Sequence, residues 1–140
     1  MGTWAADPFG NDTACDWKYD VEKTTGLQLI ESTLQRVLAA GDGYLDSSDA
    51  DQAIAAADTI ARLRGHFYVR NAYTESLDEW VEKQRVQIPQ QLVDSAIAVI
   101  DRILTEPSEL LDLWQETGAS EEWEGQMEDL KERLKEAPVV

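Results

Sequence analysis

The sequence predicts an all-α fold, an irregular antiparallel bundle of six or seven helices with an ordered N-terminal loop, on three observations. Apolar residues recur at spacings of three and four in four separate stretches, which is the period of one helix face. Residues that start and stop helices fall at the ends of those stretches. No segment alternates convincingly as a strand, although residues 66–73 fit a short extended stretch.

The first helix is expected at 12–22, because the chain before Asn11 is irregular and Asn11 or Asp12 suits the cap. A second, at 26–40, carries the stripe Leu27, Ile30, Leu34, Val37 and Leu38, with a capping box from Thr25 and Gln28 and a stop at Gly41. The third, 49–64, carries Ala53, Ile54, Ala57, Ile60 and Ala61 between a Ser48–Asp51 box and Gly65. Ser76 and Glu79 open a fourth at 76–85. Pro89 opens a fifth at 89–104 with Leu92, Ala96, Val99, Ile100 and Ile103, and Pro107 a sixth at 107–117 that ends at Gly118. Trp123, Met127, Leu130 and Leu134 define the seventh, 120–136. Short links between helices favour antiparallel neighbours.

A chain of 140 residues without linker, repeat or low-complexity tract predicts one domain, 1–140, with the irregular segment 1–11 packed on it. That length buries enough surface to fold without staples. Cys15, the only cysteine, has no bridging partner and no metal-type pairing with a histidine, which points to a reducing compartment. Residues 1–12 carry neither the basic nor the apolar region of a signal, and no apolar run approaches the roughly 20 residues of a membrane span. A cytoplasmic location is the expectation.

Charge is the strongest bulk signal. The chain has 28 acidic and 12 basic residues, a net charge of -16. Residues 1–70 hold 11 acids and 6 bases; residues 71–140 hold 17 and 6. Direct nucleic-acid or membrane binding is disfavoured, because both partners need a positive footprint.

The opening segment combines Trp4, Phe9 and Trp17 with Asp7, Asn11, Asp12 and Asp16, and contains the turn dipeptides Asp7-Pro8 and Gly10-Asn11. Large aromatics in an irregular terminus imply that it is pinned to the body, with Trp4 and Phe9 in the core. Gly2-Thr3-Trp4, the turn Asp7-Pro8-Phe9-Gly10-Asn11-Asp12, Ala14 and Asp16-Trp17, followed later by Ser108-Glu109-Leu110 and Leu113-Trp114, resemble a family of small bacterial proteins catalogued as domain of unknown function 4259. The resemblance spans most of the chain and implies no reaction, ligand or catalytic residue.

Three clusters are candidates for function. Asp12, Asp16 and Asp20 are spaced to line one face of a helix, where with Asp7 or Asn11 they offer oxygens to a divalent cation; the alternative is a solvated stripe at a helix start. Arg62, Arg64, His66 and Arg70 lie in a stretch free of acids from Thr59 to Thr74, which reads either as a cationic loop gripping an anion or as internal pairing with the chain's own carboxylates. Glu106, Glu109, Asp112, Glu116, Glu121, Glu122, Glu124, Glu128 and Asp129 form a one-sign run without Lys or Arg near Trp114 and Trp123. Such a field steers a basic partner. Asp42, Asp46, Asp49 and Asp51 suggest calcium but miss the EF-hand spacing, since the closing position is Ala53.

No nucleophile elbow, phosphate loop or zinc helix is present, so no enzyme and no cofactor are expected. The expected function is binding: an immunity-type inhibitor of a basic toxin or nuclease, using the run from Glu106 to Asp129 with the Asp7–Asp16 segment. The alternatives are a divalent-metal or small-ligand protein, conceivably a hydrolase, centred on the N-terminal aspartates, and a helical subunit of a larger complex. Homo-oligomerisation is left open.

Overall fold

The third helix of the chain is the one on which all the others pack. The computed structural model describes residues 3–68 and 70–138. Among these are seven helices: α1 (Asp12–Glu22), α2 (Gln28–Leu38), α3 (Ser47–Leu63), α4 (Glu75–Lys83), α5 (Gln90–Ile103), α6 (Glu109–Thr117) and α7 (Ser120–Lys135). The fold is all-α, and no helix among the described residues is long and apolar enough to cross a membrane.

The periodic stripe in α3 understates its position. Ala50, Ala53, Ala55, Ala56, Ala57 and Ala61 are all buried, and no residue from Ala53 to Arg62 is exposed. A helix buried all round is a core helix rather than an amphipathic one. Its short side chains let α1, α2, α4, α5, α6 and α7 all reach it. Packing between chain neighbours holds for α2–α3, α3–α4 and α6–α7, whereas α1 packs on α3 and α4, and α5 on α2, α3 and α7. Short links therefore do not fix neighbours here; access to α3 does.

Burial of α3 carries Asp58, Thr59 and Arg62 into the core. Thr59 satisfies its hydroxyl on the Ala55 carbonyl at 2.8 Å. Arg62 Nε donates to Asp58 Oδ2 at 2.7 Å, and Arg62 Nη1 to Asp78 Oδ1 of α4 at 2.7 Å. From α7, Arg133 Nη1 lies 2.7 Å from Asp58 Oδ1, an ionic contact off the hydrogen-bonding axis. Two buried aspartates and two buried arginines thus neutralise one another across three helices, the condition under which buried charge is tolerated. Phe9 and Phe67 flank the Arg62 guanidinium at 5.7 and 5.8 Å, and Tyr68 lies 5.1 Å from that of Arg133.

The helix ends follow tertiary contacts more than the local pattern. Asn11 caps α1 as expected, accepting from the Ala14 amide at 2.8 Å. The Thr25–Gln28 box does not form: Leu27 precedes α2 without a side-chain cap, and Gln84 Oε1 holds the Gly26 amide instead. Asp46, not Ser48, caps α3 through the Asp49 amide at 2.8 Å. Thr74 precedes α4, while Ser76 turns away to donate to Glu22 Oε2 at 2.8 Å. Gly41, Gly65 and Gly118 take positive φ at 53°, 92° and 80°. Gly118 allows α7 to follow α6 across a link of only two residues, Gly118 and Ala119.

At the N-terminus, the Trp4 and Ala5 amides both donate to the Gly10 carbonyl, at 2.9 and 3.1 Å, and the Gly10 amide donates to the Asp7 carbonyl at 3.0 Å. This turn drives Phe9 into the core at 1% exposure. Trp4 does not join it: at 47% exposure it lies outside, 5.3 Å from the Tyr73 ring, because its amide is tied to the outer arm of the turn. A Cβ on Gly10 would stand 2.6 Å from the Ala5 carbonyl oxygen, a backbone atom with no room to move. Gly10→Ala is therefore expected to lower unfolding free energy by about 1–3 kcal/mol. Gly125→Ala, in α7 with open space around it, is expected to raise it by about 1 kcal/mol. Urea denaturation of the two variants checks both signs.

Candidate functional site

α3 also delivers a second aspartate, and this one is uncompensated. Asp51 lies seven residues before Asp58, two helical turns along nearly the same stripe. No hydrogen bond or ion pair reaches its side chain among the described residues. It lines a groove of about 830 Å³ between the N-terminal turn, the start of α3, α6 and the start of α7. Behind it a narrow recess runs inward, lined by Asp7, Ile54, Trp123 and Met127, and Asp51 borders both spaces.

Aromatic and aliphatic side chains share the walls of the groove with short polar ones, and two exposed carboxylates join them. Trp4 and Leu113, 47% and 43% exposed, line it together with Trp114. Trp114 stacks on the buried Trp123 with ring centroids 6.0 Å apart and planes 6° from parallel. Glu116 from α6 and Glu122 from α7 line the same space, both exposed and both without an ion-pair partner among the described residues. Asn11 sits at the inner edge, its side chain spent on the α1 cap.

Burial pushes the Asp51 carboxyl up from 3.8 to about 7. Desolvation is the cause, since no cation faces it to favour the charged form. Asp58, seven residues on, is fully buried and paired with Arg62 and Arg133.

The acidic run from Glu106 to Asp129 does not form one ridge; it divides into three. Glu106 shares a hydrogen bond with Asp112, which raises its pKa, while Glu109 Oε1 accepts from the Ser47 amide at 2.7 Å and so locks α6 to α3. Glu128 and Asp129 pair with Lys131 and Arg133 at 3.6 and 2.9 Å. Glu116, Glu121, Glu122 and Glu124 remain exposed and unpaired among the described residues. Trp123 is core, whereas Trp114 is shared between core and groove.

The N-terminal set is split as well. Trp4, Asp7 and Asn11 border the groove or its recess; Phe9 and Trp17 are core, with Trp17 Nε1 donating to Thr33 Oγ1 at 2.9 Å. Asp12, Asp16 and Asp20 stand exposed on α1, and among the described residues no three His, Cys, Asp or Glu side chains are placed to hold a metal ion.

The stretch with Arg62, Arg64, His66 and Arg70 folds inward rather than forming a cationic loop. Arg62 and Arg64 are buried, the latter donating to the Leu134 carbonyl at 2.5 Å. His66 Nε2 lies 2.6 Å from the Ala137 carbonyl and Nδ1 3.3 Å from Glu136. Arg70, half-exposed, reaches Asp78 at 3.3 Å and Glu82 at 3.4 Å. The local excess of positive charge answers carboxylates brought in by α3, α4 and the C-terminal segment.

Asp51 escaped sequence reading as a site residue because it stood in an aspartate-rich start of helix and fitted a capping box. Its isolation is a tertiary property. The pKa sets the sign of its effect on stability. Between pH 3.8 and about 7 the folded chain holds a proton that the unfolded chain has lost, so stability falls as pH rises through this window and then levels off. The penalty at pH 8 has an upper bound of about 4 kcal/mol. Asp51→Asn is therefore expected to unfold at higher urea than the parent at pH 8, with the gap closing towards pH 4.

Comparison with curated proteins and with solved structures finds no match. A family model does match, over residues 2–126, which take in the N-terminal turn and every residue that lines the groove. The chain belongs to that family, described as Domain of unknown function (DUF4259).

Proposed function

We propose that this chain is a binding protein for a basic protein partner, of the kind that neutralises a cationic toxin or nuclease by covering its active surface. One observation carries the reading. Glu116 and Glu122 line a groove that also exposes Trp4 and Leu113, and Glu121 and Glu124 add exposed negative charge on the same turn of α7, all four without an ion-pair partner among the described residues. The basic side chains nearest in the chain sequence are spent on other groups: Arg102 on the carbonyls of Gly41, Gly43, Thr105 and Pro107, Lys131 on Asp101, and Arg133 on Asp58. Among the described residues no ion pair offsets these four carboxylates.

A one-sign field of this kind speeds encounter with an opposite charge, and an adjacent apolar surface then supplies contact area. Trp4 and Trp114 are of the residue type suited to such an anchor, and Leu113 adds apolar area beside them. A body pinned through α3 presents that surface without reordering, which limits the entropy lost on association.

The test is association with a panel of basic nucleases, measured by surface plasmon resonance between 50 and 500 mM salt. A binding partner is expected whose on-rate falls steeply with salt, and the triple variant Glu121→Gln, Glu122→Gln, Glu124→Gln is expected to slow that on-rate about tenfold at low salt. A partner bound equally fast by the triple variant at every salt concentration contradicts the reading.

A further inference from the structure

The groove asks for a cation of a particular shape, and the deeper reading rests on the proposed function above. Every buried carboxylate of α3 and α4 with a partner is answered by arginine: Asp58 by Arg62 and Arg133, Asp78 by Arg62 and Arg70. Each of these guanidinium groups also lies against an aromatic ring, Arg62 near Phe9 and Phe67, Arg70 4.3 Å from Phe67, and Arg133 near Tyr68. Asp51 repeats the acidic half of this arrangement. It sits on the same helix, borders the groove, and lacks the cation. Trp4 and Trp114 supply the aromatic half from the N-terminal turn and from α6.

We propose that this groove is an arginine pocket: an arginine side chain presented by the basic partner enters between Trp4 and Trp114 and pairs its guanidinium with the Asp51 carboxylate.

The chemistry favours this occupant over others. A planar, weakly hydrated guanidinium stacks on indole and gives a carboxylate two parallel donors, whereas an ammonium is a compact, strongly hydrated point charge. An anion is excluded by Asp51, Glu116 and Glu122 together. An apolar side chain would leave the Asp51 carboxyl buried further and still unpaired. Free arginine fits less well than the residue within a chain, because its own carboxylate would meet the acidic rim.

The full-length protein is titrated with N-acetyl-L-arginine methylamide, with the citrulline analogue as an uncharged shape match, with the lysine analogue and with free L-arginine, while the tryptophan side-chain N–H signals are followed by NMR. The expected result is saturable movement of the Trp4 and Trp114 signals by the arginine probe. Citrulline is expected to bind at least tenfold more weakly, and Asp51→Asn to weaken the arginine probe at least tenfold while the remaining spectrum stays folded. Equal binding of citrulline, or unchanged affinity in Asp51→Asn, overturns the pocket. Equal or tighter binding of lysine overturns the guanidinium assignment, and tighter binding of free arginine overturns the assignment to a side chain in a partner. Capture of the probe by a chain whose binding to basic proteins ignores Glu121, Glu122 and Glu124 supports the pocket and removes only the reading of the acidic face.

Discussion

The buried charge set of Asp58, Arg62, Asp78 and Arg133 is the constraint around which this molecule is organised. It joins α3 to α4 and α7, and through Phe9 and Phe67 it also touches the N-terminal turn and the segment after α3. Apolar packing alone would let helices slide on the smooth alanine face of α3. Ion pairs at 2.7 Å do not slide, because a shifted register strands a charge in a medium that cannot solvate it. The register they set holds α4 and α7 and, through Phe9, the N-terminal turn against α3, while Glu109 on the Ser47 amide holds α6 at its start.

From that register the site follows. Asp58 and Asp51 share a stripe of α3, and one is surrounded by arginines while the other opens onto a groove. A carboxyl whose burial raises its pKa with no partner to offset the cost is a local liability, and such liabilities gather where a protein meets something else. The acidic rim and the exposed indole belong to the same place. On the proposed reading, long-range attraction by Glu121 and Glu124 and short-range recognition at Asp51 are separate tasks assigned to different residues.

Much of the architecture was legible in the sequence. All seven helices were legible, four from apolar spacing and the rest from start signals or a glycine stop, because these signals are local and α2, α5 and α7 each keep one face on the core. Caps were less legible. A box needs only a hydroxyl and, three residues on, an acid or a glutamine, and Thr25 and Ser76 meet that pattern while contacts with α4 or α1 decide their surroundings. The central place of α3 was hidden for a different reason: alanine adds little to a periodic signal, although it is what admits six neighbours. At the site, Trp4, Asn11, Trp114, Glu116 and Glu122 had been singled out, but for two separate clusters rather than one groove. Asp51 carried only the marks of a capping box and of an aspartate loop that misses the calcium spacing, neither of which tells that it ends without a partner. For Arg62 and Arg64 internal pairing stood beside the cationic loop as a reading, but nothing in a linear reading tells that Asp58 and Asp78 converge on Arg62.

A double-mutant cycle on Asp58 and Arg133, read by urea denaturation at pH 7, tests the organising role of the buried charges most directly. Asp58→Asn alone is expected to cost about 3–5 kcal/mol, because it leaves two buried arginines facing one aspartate. Adding Arg133→Met to it is expected to cost little more or to recover part of the loss, a coupling of about 2 kcal/mol or greater. Additive losses, each below about 1 kcal/mol, would mean that the helices hold their register without these charges and that the account is wrong.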